Sequence, residues 1–202
     1  MARIGHVIYK ADDLEQAVAE FRAEGFEVEY GKAKDPHNAL IYFSTGPYVE
    51  IIAGIHMPAV VRGALALTGH RRMVEDYDRL AQAPQGYSRI VFEVEREKFT
   101  ALEHLCAVHD RSTVISPVAR KDPHGRRLSC RCLVPDDWSV PMFVTPFAVD
   151  THRASAHPNG FTRIEEIRYA GSETAVGICL GAQAEERLRC SIGDGTIEVS
   201  FT

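Results

Sequence analysis

Long apolar runs are missing from this chain of 202 residues. No stretch approaches the roughly 20 apolar residues that a membrane-spanning helix needs. Strand-like alternation starts at Ile4, which leaves no room for a secretion signal, so the expected setting is the cytoplasm, away from the bilayer. A net positive charge is missing as well: the formal net charge is -5, which argues against a nucleic-acid footprint. Cysteines number five, an odd count at irregular spacing, and fit reduced thiols better than a disulfide framework. A phosphate-cradling glycine loop, a nucleophile elbow and a nicotinamide fingerprint are also absent. With 45% hydrophobic and 25% charged residues, the chain can bury one sizeable core or two small fused modules.

Against this plain background two polar residues stand where strands should be dry. His6 interrupts Arg3-Ile4-Gly5-His6-Val7-Ile8-Tyr9, and Glu50 interrupts Tyr48-Val49-Glu50-Ile51-Ile52. A carboxylate buried among β-branched and aromatic neighbours is costly unless it is paired or bound to a metal. An imidazole and a carboxylate brought together by a small sheet are two donors for a divalent ion, although a histidine in a strand can equally be a satisfied core residue. Between them, Asp12 or Asp13 can cap a helix whose apolar residues Leu14, Ala17, Val18 and Phe21 recur at helical spacing, and Gly25 ends it. Strands are expected at Phe26 to Tyr30, Asn38 to Phe43 and Tyr48 to Ile52, the last after a Ser44-Thr45-Gly46-Pro47 turn, which gives the order βαβββ.

Past Ile52 the spacing predicts a helical connector from 58 to 82, with Pro58 at its start, apolar Val60, Val61, Ala64 and Leu65, and a charged second stretch from Arg71 to Leu80. From Tyr87 the first pattern returns. Ile90, Phe92 and Val94 alternate, Phe99, Leu102 and Leu105 keep helical spacing, and strands are expected at Thr113 to Val118, Arg127 to Val134 and Val140 to Thr145. In this second unit Val91 stands near the position of His6, and Val144 or Thr145 near that of Glu50. Cys130 and Cys132 share a strand face with Leu128 and Val134 and are expected to pack as core. The basic residues Arg120, Lys121, Arg126, Arg127 and Arg131 flank a turn at Asp122 to Gly125 and read as a solvated rim, useful to an anionic ligand entering nearby. The last residues hold His157-Pro158-Asn159-Gly160, then Arg163 to Tyr169, an echo of Arg3 to Tyr9 with Glu166 in the slot of His6. A hairpin turning at Gly193-Asp194-Gly195 is expected to place Glu198 in the slot of Glu50.

These features resemble the vicinal oxygen chelate superfamily, specifically its glyoxalase-like domain branch. There the opening strand carries a histidine, a GTxNxL-like stretch follows the helix, and a YLEL-like strand carries the glutamate; His6, Asn38-Ala39-Leu40 and Tyr48-Val49-Glu50-Ile51 fall on those positions. The loop from Gly31 to His37 is shorter than the pattern. HPNG at 157–160 is similar to a signature that precedes the branch's final strands. The resemblance implies an α+β fold in which repeated βαβββ modules form a cupped mixed sheet. The expected parts are a first module at 1–55, a helical connector at 56–84, a second, degenerate module at 85–147, and a strand-rich part at 157–202 completing the fold.

The resemblance also implies chemistry: a divalent ion chelates neighbouring substrate oxygens, and a carboxylate moves a proton. His6, Glu50 and Glu198 are the expected metal ligands, Glu50 and Glu198 the catalytic candidates, and Asn38 and His157 the substrate contacts. Glu198 has a second reading as part of a solvent-facing edge, Glu166 as part of a charged surface, Asn38 as a turn residue and His157 as a loop brace. One histidine with up to three carboxylates favours Mn, Mg, Fe(II), Ni or Zn. The two-histidine, one-carboxylate set of a ring-cleaving dioxygenase is not visible. The expected function is a metal-assisted lyase or isomerase of a small oxygen-rich metabolite, working as a homodimer. The alternative is a non-catalytic protein that sequesters a small, antibiotic-type molecule.

Overall fold

The computed structural model describes residues 2–147, 149, 156–182 and 186–202. The first unit comprises β1 (Arg3–Lys10), α1 (Leu14–Ala23), β2 (Glu29–Tyr30), β3 (Asn38–Ile41) and β4 (Tyr48–Ile52). Asp13 caps α1 by accepting from the Gln16 N–H at 2.9 Å, and Leu14, Ala17, Val18 and Phe21 form its buried face. Gly25, at φ +84°, takes the left-handed conformation that ends the helix. Two connecting helices follow, α2 (Ala59–Leu67) and α3 (Arg71–Gln82). The second unit is β5 (Gly86–Glu93), α4 (Phe99–Val108), β6 (Thr113–Lys121), β7 (Arg127–Pro135) and β8 (Met142–Val144). The third is β9 (Ile164–Gly171), α5 (Glu173–Ala182), β10 (Leu188–Ile192) and β11 (Ile197–Phe201).

The first two units share one eight-stranded sheet in the order β2-β3-β4-β1-β5-β8-β7-β6. They meet through the antiparallel pair β1–β5, and within each unit the first strand pairs in parallel with the last. The sheet curls until its ends approach: His124, at the tip of the β6–β7 hairpin, lies 3.3 Å from Glu29 of β2. This is the α+β cup of repeated βαβββ units expected from the sequence.

Alternation assigns the two faces. Val7, Ile51, Ile90, Phe92, Leu133 and Phe143 point to the main core, which they share with α1, α4, α5 and the inner face of the third unit. His6, Ile8, Leu40, Glu50, Val91 and Cys132 lie on the other, concave face. That face is also dry: Ile8, Leu40, Val91 and Cys132 are all buried.

Several boundaries differ from expectation. Strand β2 covers only Glu29 and Tyr30, because the Glu27 N–H donates to the ring of His157 rather than to a neighbouring strand. Strand β3 stops at Ile41, and the chain then turns to the C-terminal segment, where the Ser44 N–H donates to the Thr162 carbonyl at 3.0 Å. The expected hairpin at Gly193-Asp194-Gly195 does not form. Strand β9 lies between β10 and β11, pairing in parallel with β10 and antiparallel with β11.

Candidate functional site

Strand register brings the two interrupting residues together. Ile8 of β1 lies across from Glu50 of β4, and His6 lies across from Tyr48. His6 and Glu50 therefore sit diagonally on neighbouring strands and project from the same face. Their side chains meet with His6 Nε2 3.2 Å from Glu50 Oε2, and are 8% and 18% exposed. The other carboxylate oxygen, Oε1, accepts a hydrogen bond from Asn38 Nδ2 at 2.7 Å. Asn38 reaches it from β3, and the residue is buried. The imidazole of His6 stacks on the Tyr48 ring at a centroid distance of 4.7 Å and 17°. Tyr48 in turn leans on Tyr42 at 5.1 Å. The carboxylate is thus gripped on one oxygen by an amide, and the imidazole beside its other oxygen is steadied by an aromatic wall.

The rest of the concave face adds groups that the sequence reading did not place here. The Cys132 thiol is pushed up by contact with the Cys130 thiol, by burial and by the negative charge of Glu50, so Cys132 presents a protonated thiol within electrostatic reach of the carboxylate. Lys10 and Arg89 are buried on the same face. Lys10 Nζ donates to Asp12 Oδ1 at 2.5 Å and to the Ala83 carbonyl at 2.6 Å. Arg89 donates to the Val140 and Asp137 carbonyls at 3.0 and 3.1 Å. For Lys10 and Arg89 the signal was parity: Lys10 lies four positions after His6, and Arg89 two before Val91.

The other candidates lie elsewhere. His157 is buried between Phe26 and Phe43, at ring distances of 5.5 and 5.0 Å. Its Nδ1 accepts from the Glu27 N–H at 2.9 Å. Burial holds its pKa below the ordinary histidine value, partly offset by the Tyr42 carbonyl and by Glu27. Asn159 joins the same brace by donating to the Glu24 carbonyl at 3.0 Å.

Glu198 stands exposed on β11, across from Arg168. It does not take the slot of Glu50: the strand parallel to β9 is β10, and the residue across from Arg168 there is Arg189. Glu166, in the slot of His6, bonds Arg168 Nε at 2.5 Å and lies 3.6 Å from Arg189 Nε. Among the described residues no third histidine, cysteine, aspartate or glutamate completes a metal-binding group with His6 and Glu50. In the basic rim Arg126 is tied to Asp122 at 2.6 Å, Lys121 and Arg127 face each other in the hairpin, and the Arg120 side chain lies outside the described residues.

The profile of a glyoxalase-like domain family matches residues 4–177 of the chain. No curated protein matches it in sequence. Among solved structures, a hypothetical protein from Staphylococcus aureus is similar at a TM-score of 0.56 and 14% identity, over 85% of this chain and 71% of that one, which supports the fold. A Mn(II)-bound glyoxalase from Novosphingobium aromaticivorans gives a TM-score of 0.43 at 12% identity, covering 88% and 51% of the two chains. A methylmalonyl-CoA epimerase from Streptomyces coelicolor, in complex with 2-nitronate-propionyl-CoA, gives 0.42 at 18% identity, covering 74% and 99%.

Proposed function

The chain belongs to the glyoxalase-like domain family, and from that premise we propose that it is a divalent-metal-assisted lyase or isomerase, moving a proton on a small oxygen-rich metabolite held in the concave face. The observation that carries this reading is the His6–Glu50 contact. Two donors bound at about 2.1 Å to one ion are about 3.0 Å apart at a right angle and about 3.4 Å apart at a tetrahedral one. The 3.2 Å between His6 Nε2 and Glu50 Oε2 lies between these values, so the pair fits adjacent ligands of one ion, with Mn, Mg, Fe(II), Ni and Zn as the candidates.

Bound there, such an ion would act as a Lewis acid toward two neighbouring substrate oxygens. The chain's own residues do the remainder. His6 and Glu50 are the two residues that would hold the ion. Glu50, fixed on its Oε1 by Asn38, is the group placed to take and return the proton. Ile8, Leu40 and Val91 keep the surroundings dry, which strengthens each charge interaction inside. Cys132, kept protonated, adds a neutral donor rather than a competing charge. Glu198 is not part of this set, because it stands on the exposed face of the other sheet.

A homodimer in the cytoplasm is the corresponding proposal for the protein's setting. The dimer is supported by α2, an apolar nine-residue helix with no buried residue, whose Val60 and Leu67 are 85% and 90% exposed. Light scattering tests the dimer: a monomer at micromolar concentration would contradict it.

The test of function has two parts. Protein purified without chelator or added metal is assayed for metal content, and a panel of small 2-hydroxy and 2-oxo acids is incubated with it in D2O and followed by proton NMR. The expected result is stoichiometric divalent metal, with deuterium entering the carbon beside the chelating oxygens and Glu50→Gln abolishing the exchange. The sequestration reading keeps one observation in its favour: both oxygens of Glu50 have protein partners, His6 at Oε2 and Asn38 at Oε1. Metal-free protein that binds an aromatic ligand and exchanges nothing would establish it instead.

A further inference from the structure

Asn38 stands at the position that the family resemblance marks as a substrate contact, yet its amide is committed to the carboxylate. Nδ2 donates to Glu50 Oε1 at 2.7 Å, while Oε2 is the oxygen beside His6. The bond runs between adjacent strands, with Asn38 across from Ile52 and Glu50 across from Leu40 in the β3–β4 ladder. Asn38 itself is fixed from behind. Its carbonyl accepts from the Gly31 N–H at 2.9 Å, and the space at Gly31 is what admits its side chain. A Cβ at position 31 would stand 2.1 Å from Asn38 Oδ1, 2.7 Å from Cγ and 2.8 Å from Nδ2, so no residue larger than glycine leaves the amide where it is.

We infer that Asn38 is a positioning residue for Glu50, and that Gly31 is the vacancy that lets it act. This rests on the reading of Glu50 as the working carboxylate. By occupying Oε1, Asn38 fixes the carboxylate so that Oε2 is the oxygen turned toward His6. A residue that hydrogen-bonds a metal ligand in this way typically costs about 10- to 100-fold in metal affinity when it is removed.

Two measurements separate this inference from the reading beneath it. The first needs no metal: a double-mutant cycle in urea on the apo protein, combining Asn38→Leu with Glu50→Gln and Glu50→Leu. A hydrogen bond to a charged group should give a coupling of about tenfold or more in the unfolding equilibrium for the Glu50→Leu corner. No coupling would overturn the inference whatever the protein binds.

The second is Mn2+ affinity. Asn38→Leu should weaken it at least about tenfold, and Gly31→Ala should do the same with Asn38 still present. Asn38→Asp should weaken it at least as much, because an ionised carboxylate at position 38 cannot donate to Glu50 Oε1 and repels it. Circular dichroism and the urea midpoint of each variant separate this loss from a loss of folding. Mn2+ affinity unchanged in Asn38→Leu and Asn38→Asp would return Asn38 to a structural or substrate-contact role. Coupling in the cycle with no Mn2+ bound by the wild type would uphold the inference and remove the metal reading.

Discussion

In the first unit, Ile8 lies across from Glu50, two residues after His6; in the third, Arg168 lies across from Arg189, two residues after Glu166. The second unit repeats the register with Val91 across from Met142 and Glu93 across from Val144, so Val91 and Val144 hold the two slots. One backbone arrangement therefore carries three pairs: His6 with Glu50, Val91 with Val144, and Glu166 with Arg189. The first is enclosed and held by an amide from the next strand. The last is a solvated ion pair with its charges reordered, on a sheet whose outer face is open. The frame alone places two side chains side by side. Burial and the Asn38 contact are what distinguish a candidate metal site from a surface salt bridge.

The comparison can be broken by moving the pair. Placing it in the second unit, Val91→His with Val144→Glu, should cost the apo protein about 2–4 kcal/mol, because Val91 is fully buried and the second unit has no amide at the Asn38 position to receive the carboxylate. Urea denaturation measures this, and a neutral double variant would mean that the slots themselves are enough.

A smaller effect is expected in the first unit. Glu50→Leu strands the Asn38 amide and should cost about 1–3 kcal/mol, whereas Glu50→Gln keeps an acceptor for it and should cost less than about 1 kcal/mol. Equal losses from the two would show that the Asn38 bond contributes nothing in the folded protein. Converting the third unit with Glu166→His and Arg189→Glu should leave stability within about 0.5 kcal/mol, since exposed ion pairs contribute little. It should bind Mn2+ at least about tenfold more weakly than the first unit, as no amide anchors the new carboxylate. Affinity matching that of the first unit would contradict the weight given to enclosure.

Much of this was legible in the sequence, for definite reasons. The βαβββ order of the first unit was readable because Asp13, the apolar spacing from Leu14 to Phe21, and Gly25 all point to the same helix. His6 and Glu50 were visible because each is polar in an otherwise apolar strand. The third unit was not readable in the same way. Helix α5 (ETAVGICLGA) is apolar nearly all round and lacks the period that marked α1. Chain order gave no sign that β9 separates β10 from β11, so Glu198 was assigned a slot that Arg189 holds. His157 was drawn toward the site by its motif. Its ring nitrogen instead takes the Glu27 N–H that would have extended β2, a long-range exchange that local pattern does not reveal.

His157 gives the smallest expected effect. Its pKa is depressed in the folded protein by burial, so its contribution to stability is complete above the unfolded histidine value of about 6.5. That contribution is lost as pH falls through the lower folded value. His157→Phe should flatten the decline of stability below about pH 6.5 relative to wild type, whatever it does to stability at pH 8. An unchanged slope would mean that His157 binds its proton equally well in the folded and unfolded chain.

The most direct test of the central claim is a Mn2+ titration of the wild-type protein, His6→Ala and Glu50→Gln, followed by electron paramagnetic resonance of free and bound ion. The account predicts one ion per chain in the wild type and at least about a hundredfold loss of affinity in each variant. Binding that is undiminished in both variants, or no binding by the wild type at millimolar Mn2+, would contradict it.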